Sequence, residues 1–132
     1  MPNRIRILTL NLWQRYGEWA ERRSVLIDGI RAKQPDLVAF AESIKTGEYD
    51  QTVDLLGKGF NVAHSSARDT NGMGISIASR WPIQEVQEVD LSDFAHGGIS
   101  LHSPCRHRRR ARSHRLLIVR EPFPELAIEL RA

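Results

Sequence analysis

A single cysteine, Cys105, occurs in the 132 residues, so no disulfide can form within the chain and oxidative folding is not implied. No run of about eighteen apolar residues is present, which speaks against a membrane-spanning helix and a membrane partner. Met1-Pro2-Asn3-Arg4 leads into a strand-like segment without a secretory hydrophobic region, so the expected address is cytoplasmic. Internal repeats are absent. A chain of this length at 41% hydrophobic content has material for one core and not for two, so a single soluble domain, or a piece of one, is expected. A net charge of +3 and a pI near 9.5 would ordinarily point to an anionic partner. The excess is local, however: residues 105–132 hold eight arginines against three glutamates, and residues 1–104 are net acidic.

What is present is a strand, helix, strand opening. Residues 5–11 alternate Ile5, Ile7, Thr9 and Asn11 with Arg6, Leu8 and Leu10, and both faces are apolar after Arg6, which predicts a buried strand. From Trp19 to Gln34, Leu26, Ile27 and Ile30 fall at helical spacing among Glu21, Arg22, Arg23, Asp28 and Arg31, and Pro35 stops the helix. Leu37 to Ala41, closed by Glu42 and Ser43, is an apolar run that predicts a second central strand. Tyr49, Val53 and Leu56 recur at i, i+4 and i+7, predicting a short helix that ends at Gly57. Strands are expected over Phe60–His64, Met73–Ser79 and Ile83–Val89. The order gives an α/β (α+β) layered fold. Past Asp93 the periodicity dissolves, so residues 4–93 are expected to form the folded unit and 94–132 an irregular, Arg-rich tail.

The chemistry sits at two strand ends. Asn11 closes the first strand and Glu42 the second. A carboxylate at the end of a buried strand forfeits several kcal/mol of hydration unless it is paired or coordinated. A hard cation such as Mg²⁺ suits one carboxylate with amide and water oxygens. On residue type alone, contact of Glu42 with solvent or an arginine is the simpler alternative.

The wording around these residues adds to this. Leu8-Thr9-Leu10-Asn11-Leu12-Trp13, then Gln34-Pro35-Asp36-Leu37-Val38-Ala39-Phe40-Ala41-Glu42, then Gly72-Met73-Gly74-Ile75-Ser76-Ile77-Ala78-Ser79-Arg80-Trp81-Pro82-Ile83 resemble the opening motifs of the endonuclease/exonuclease/phosphatase superfamily, in its order. The resemblance covers roughly residues 4–90. It implies the N-terminal half of a four-layer α/β sandwich and Mg²⁺- or Mn²⁺-dependent hydrolysis of a phosphoester, in a small molecule or in nucleic acid. Glu42 matches the metal-binding glutamate and Asn11 the asparagine beside it. The His and Asp residues that activate water in such enzymes belong to the second half, and the expected His-bearing strand, Asp-x-Asn motif and terminal Asp-His have no counterpart here. Half a sandwich is expected to leave an apolar sheet face uncovered and to be inactive alone.

The tail carries a further sign. Codons compatible with Glu121–Arg131, read one base on, encode Asn-His-Phe-Pro-Ser-Trp-Gln-Leu-Ser-Phe-Glu, which resembles the next motif of the same family. A frameshift between about Asp90 and Arg106 is the expectation this raises. The alternative takes Arg106–Arg112 as an arm for nucleic acid or another chain, although no aromatic residues for base stacking lie beside it. His102, Cys105, His107 and His114 fit no established zinc spacing. His64 is expected to be structural, and Trp13, Trp19 and Trp81 to be packing residues, with Trp13 close to the mouth of any site at Asn11.

Overall fold

The structure, a computed structural model, describes residues 4–90 and the strand segments 115–120 and 127–131. Arg106–Arg112, His102, Cys105, His107, His114 and the expected boundary near residue 93 lie outside the described residues. The elements run β1 (Ile7–Asn11), α1 (Trp19–Lys33), β2 (Leu37–Ile44), α2 (Gln51–Leu56), β3 (Asn61–His64), β4 (Met73–Ser79), β5 (Glu85–Asp90), β6 (Arg115–Arg120) and β7 (Ala127–Arg131). This is a mixed α/β fold. One sheet has the order β1-β2-β4-β3, with β1 parallel to β2 and the other pairs antiparallel, and a second has the order β5-β6-β7. Two segments of the stretch expected to be irregular are therefore strands, both paired into the antiparallel sheet that β5 begins.

The core lies between the first sheet and the helices. Leu12, Ile30, Val38, Phe40, Leu55 and Ala78 are buried there, with Leu8, Leu10, Trp19, Leu26 and Ile27 packed against them. α1 ends where its sequence says it must: Gln34 adopts a left-handed conformation, its N–H returns to the carbonyls of Ile30 and Arg31, and Pro35 follows. Asp50 caps α2 by accepting the Val53 N–H at 3.0 Å. Arg23 of α1 grips Asp54 of α2 through two nitrogens at 2.6 and 2.8 Å, and the Tyr49 hydroxyl donates to the same carboxylate. Burial and that carboxylate together push the Tyr49 phenol up to about 12.

Two expectations are corrected. Among the described strands β1 lies at the edge of its sheet and is not buried: Ile7, Thr9 and Asn11 are exposed on the face they share with Leu37 and Ala39 of β2, whereas β2 is covered on both faces along Leu37–Phe40. In α2 the buried face is Gln51, Thr52 and Leu55, and Val53 points to solvent, because the carboxamide of Gln51 is used inside the fold. The uncovered apolar face also proves narrow among the described residues. Leu37, Ala39, Ile75 and Ile77 are buried, the last two with Ala63 and Ile83 packed beside them. Ile7, 57% exposed, is the large apolar residue of β1 that remains open.

Candidate functional site

Parallel pairing brings the end of β1 beside the middle of β2. Asn11 lies opposite Ala41, one residue before Glu42. Beyond β1 the chain stays attached to β2: the Leu12 N–H donates to the Ala41 carbonyl at 2.9 Å and the Gln14 N–H to the Glu42 carbonyl at 3.0 Å. Asn11 is exposed and Glu42 half-buried. The Asn11 Oδ1 accepts the Trp13 N–H at 2.8 Å, which fixes the amide plane. Glu42 does not end its strand. It sits inside β2 at an interruption of the register with β4, with φ of 53°, and the strand resumes at Ser43 and Ile44. Trp13 and Gln14 also have positive φ. Three of the four non-glycine residues in this conformation among the described residues therefore cluster at this end of the sheet.

A set of carboxamides keeps the strained backbone in place. Buried Gln51 accepts the Ile44 N–H through Oε1 at 2.9 Å and donates through Nε2 to the Gln14 carbonyl at 2.7 Å. Asn71 Nδ2 donates to the Gln14 Oε1 at 2.7 Å. The loop after β1 is thus tied to β2, α2 and the entry to β4. Gly72 has a steric role at that entry: its φ is 85°, and a Cβ there would meet the Lys45 carbonyl oxygen at 2.5 Å. Sequence reasoning missed Gln14 and Gln51. No periodicity marks a polar residue that turns inward.

Behind the strand ends runs a second polar chain. His64 Nε2 lies 2.7 Å from Asp50 Oδ2, and its Nδ1 lies 2.7 Å from the Ser76 hydroxyl, itself 2.7 Å from the Ser43 hydroxyl. Arg68 donates to the Ser43 carbonyl at 2.6 Å and to its hydroxyl at 3.2 Å. A carboxylate only accepts, so Nε2 carries the proton toward Asp50 and Nδ1 accepts from Ser76. The Asp, His and Ser have the order of a hydrolytic triad. Ser76 is 0% exposed, however, so no substrate reaches its hydroxyl and the chain is structural. Burial holds the His64 pKa below its ordinary value, against the opposing pull of Asp50.

Among the described residues, no three His, Cys, Asp or Glu side chains come together as a metal cluster. The donor set at the strand ends is one carboxylate and one amide, all oxygen. That fits a hard cation which keeps most of its shell as water and phosphate oxygen, and does not fit zinc or a soft metal. The fold defines a mixed α/β protein in which β1 runs parallel to β2.

The Endonuclease/Exonuclease/phosphatase family model matches residues 8–125. The chain belongs to that family. A solved structure of an endonuclease/exonuclease/phosphatase family protein from Leptotrichia buccalis superposes with a TM-score of 0.67 at 18% identity, covering 98% of this chain. The chain spans 53% of that protein's length. No curated protein sequence matches it. The match confirms the fold expected from Asn11, Glu42 and the Gly-Met-Gly-Ile strand, and it runs beyond residue 93 into the segment expected to be a separate tail. No helix among the described residues is long and apolar enough to cross a membrane.

Proposed function

We propose that this chain carries the cation-binding half of a phosphoester hydrolase site, with Glu42 holding Mg²⁺ or Mn²⁺ and Asn11 beside it. What supports this is one observation: the register sets Asn11, at the end of β1, opposite Ala41 and so beside Glu42, where Glu42, Trp13 and Gln14 all have positive φ. The cation, when bound, polarises a phosphoryl oxygen and neutralises developing charge. Asn11 has Oδ1 committed to the Trp13 N–H, so its Nδ2 hydrogens are the part that donates to a phosphate oxygen. Glu42 supplies the negative charge that retains the cation. Turnover is slow or absent, because the His and Asp residues that the family resemblance assigns to water activation have no counterpart in the sequence. In this proposal the in-frame part of the family domain is residues 4–93, and the reading frame shifts between about Asp90 and Arg106 within the matched segment. Sequencing codons 90–132 tests that last point, and codons incompatible with the shifted peptide rule it out.

Titration calorimetry with Mg²⁺, run beside hydrolysis of bis-(p-nitrophenyl) phosphate, tests the function. Binding lost in Glu42→Ala with little turnover in either protein is the expected result. Binding unchanged by Glu42→Ala refutes the cation site, and Mg²⁺-dependent turnover removed by that substitution refutes inactivity.

A further inference from the structure

The loop that follows β1 presents two large aromatic rings to solvent. Trp13 is 54% exposed and Tyr16 51%, and the rings meet edge to face with centroids 5.8 Å apart. Exposed rings gain little from burial, yet these are carried on a backbone that is costly to hold, with consecutive positive φ at Trp13 and Gln14. The loop is also braced. Arg22 donates to the carbonyls of Leu12 and Tyr16, the Tyr16 N–H returns to the Trp13 carbonyl at 3.3 Å, and Trp19 N–H bonds Gly17 at 2.8 Å. Gly17, with φ of 68°, leaves room for the indole, since a Cβ there would lie 3.2 Å from Trp13 Cζ3. Arginines interleave with the rings: the Arg22 guanidinium sits 5.3 Å from the Trp13 centroid and 5.5 Å from that of Trp19, and Arg15 lies 4.7 Å over Tyr49.

The Trp13 backbone N–H donates to Asn11 Oδ1, which fixes the start of the ring-bearing loop at Asn11. A phosphate held at Asn11 would therefore lie at the base of the loop that carries the indole. We infer that Trp13 and Tyr16 form a preorganised stacking platform for the base of a single-stranded nucleic acid, selecting phosphodiesters that carry a planar ring; this rests on the phosphoester reading of Asn11 and Glu42. Rings alternating with arginines suit a π-face attached to an anionic backbone. The charge run at Arg106–Arg112 has no such aromatics beside it.

The test uses the whole 132-residue chain and two labelled oligonucleotides of about ten units, oligo-dT and its abasic equivalent, by fluorescence anisotropy with and without Mg²⁺. Wild type should bind oligo-dT more tightly than the abasic strand. Trp13→Ala should weaken oligo-dT binding by about 5- to 150-fold, the range for one stacked base, and leave the abasic affinity unchanged. Trp13→Phe should restore most of the difference. Tyr16→Ala, with its fold checked by circular dichroism, gives a second measure if Trp13→Ala fails to fold. Equal affinity for the two strands, or an equal loss on both in Trp13→Ala, overturns the proposal, as does Trp13-dependent partitioning onto phosphatidylcholine vesicles in place of base discrimination. Glu42→Ala separates the two proposals: if the cation site is wrong and the platform right, base discrimination persists in EDTA and in Glu42→Ala.

Discussion

Thr52 is buried in α2, and its hydroxyl finds no hydrogen-bond partner among the described residues. An unsatisfied buried hydroxyl costs more than an apolar group of the same shape, so Thr52→Val should raise stability by about 1 kcal/mol in urea unfolding, and a loss of stability would contradict this. His64 makes a second residue-scale prediction. Its folded-state pKa lies below the ordinary 6.5, so the unfolded chain takes up the proton first. The stability held above about pH 6.5 should fall as the pH drops toward the folded value, and His64→Gln should flatten that slope. The groups that face His64 are Asp50, whose carboxylate opposes the shift, and Lys45 and Arg68, which add to it. At this scale the sequence was informative where chemistry is tied to a motif. Asn11 and Glu42 were legible as candidates because each closes an apolar run. Gln14 and Gln51, which hold the site's backbone, were not, since a carboxamide in a polar stretch looks the same inside a fold as outside it.

The strands and α1 were legible because apolar runs and Pro35 bounded them, and β4 falls on Met73–Ser79 as expected. Position within the sheet was not legible. β1 is apolar on both faces like β2, yet it lies at the edge, and only pairing decides that. Ile7→Thr should accordingly change stability by no more than about 0.5 kcal/mol, while Leu37→Ala, at a site with no exposure, should cost about 2–5 kcal/mol. Comparable losses at the two positions in denaturant unfolding would mean that β1 is covered in solution. α2 ends at Gly57 as its period predicts, but it buries Gln51, Thr52 and Leu55 and leaves Val53 exposed. With six residues, that helix is placed by Asp50, Gln51 and Asp54 and not by an apolar stripe.

For the molecule as a whole, the family could be read from three motifs in order, and the match over residues 8–125 bears it out. The strands at Arg115–Arg120 and Ala127–Arg131 were left within the irregular tail, although Leu116–Val119 is a short apolar run and Ile128 and Leu130 alternate with Glu129 and Arg131, because the arginine run ahead of them dominated the reading. The chain spans about half of the Leptotrichia buccalis protein, and the proposed site is likewise partial, with one carboxylate and one amide. Everything proposed for it depends on a cation being held at Glu42 beside Asn11. Paramagnetic broadening by Mn²⁺, followed on the backbone amide signals of the ¹⁵N-labelled chain, examines that most directly. Residues 11–14 and 41–43 should broaden first in the wild type and lose that priority in Glu42→Gln. Broadening that begins elsewhere, or that is unchanged in Glu42→Gln, would contradict the cation site.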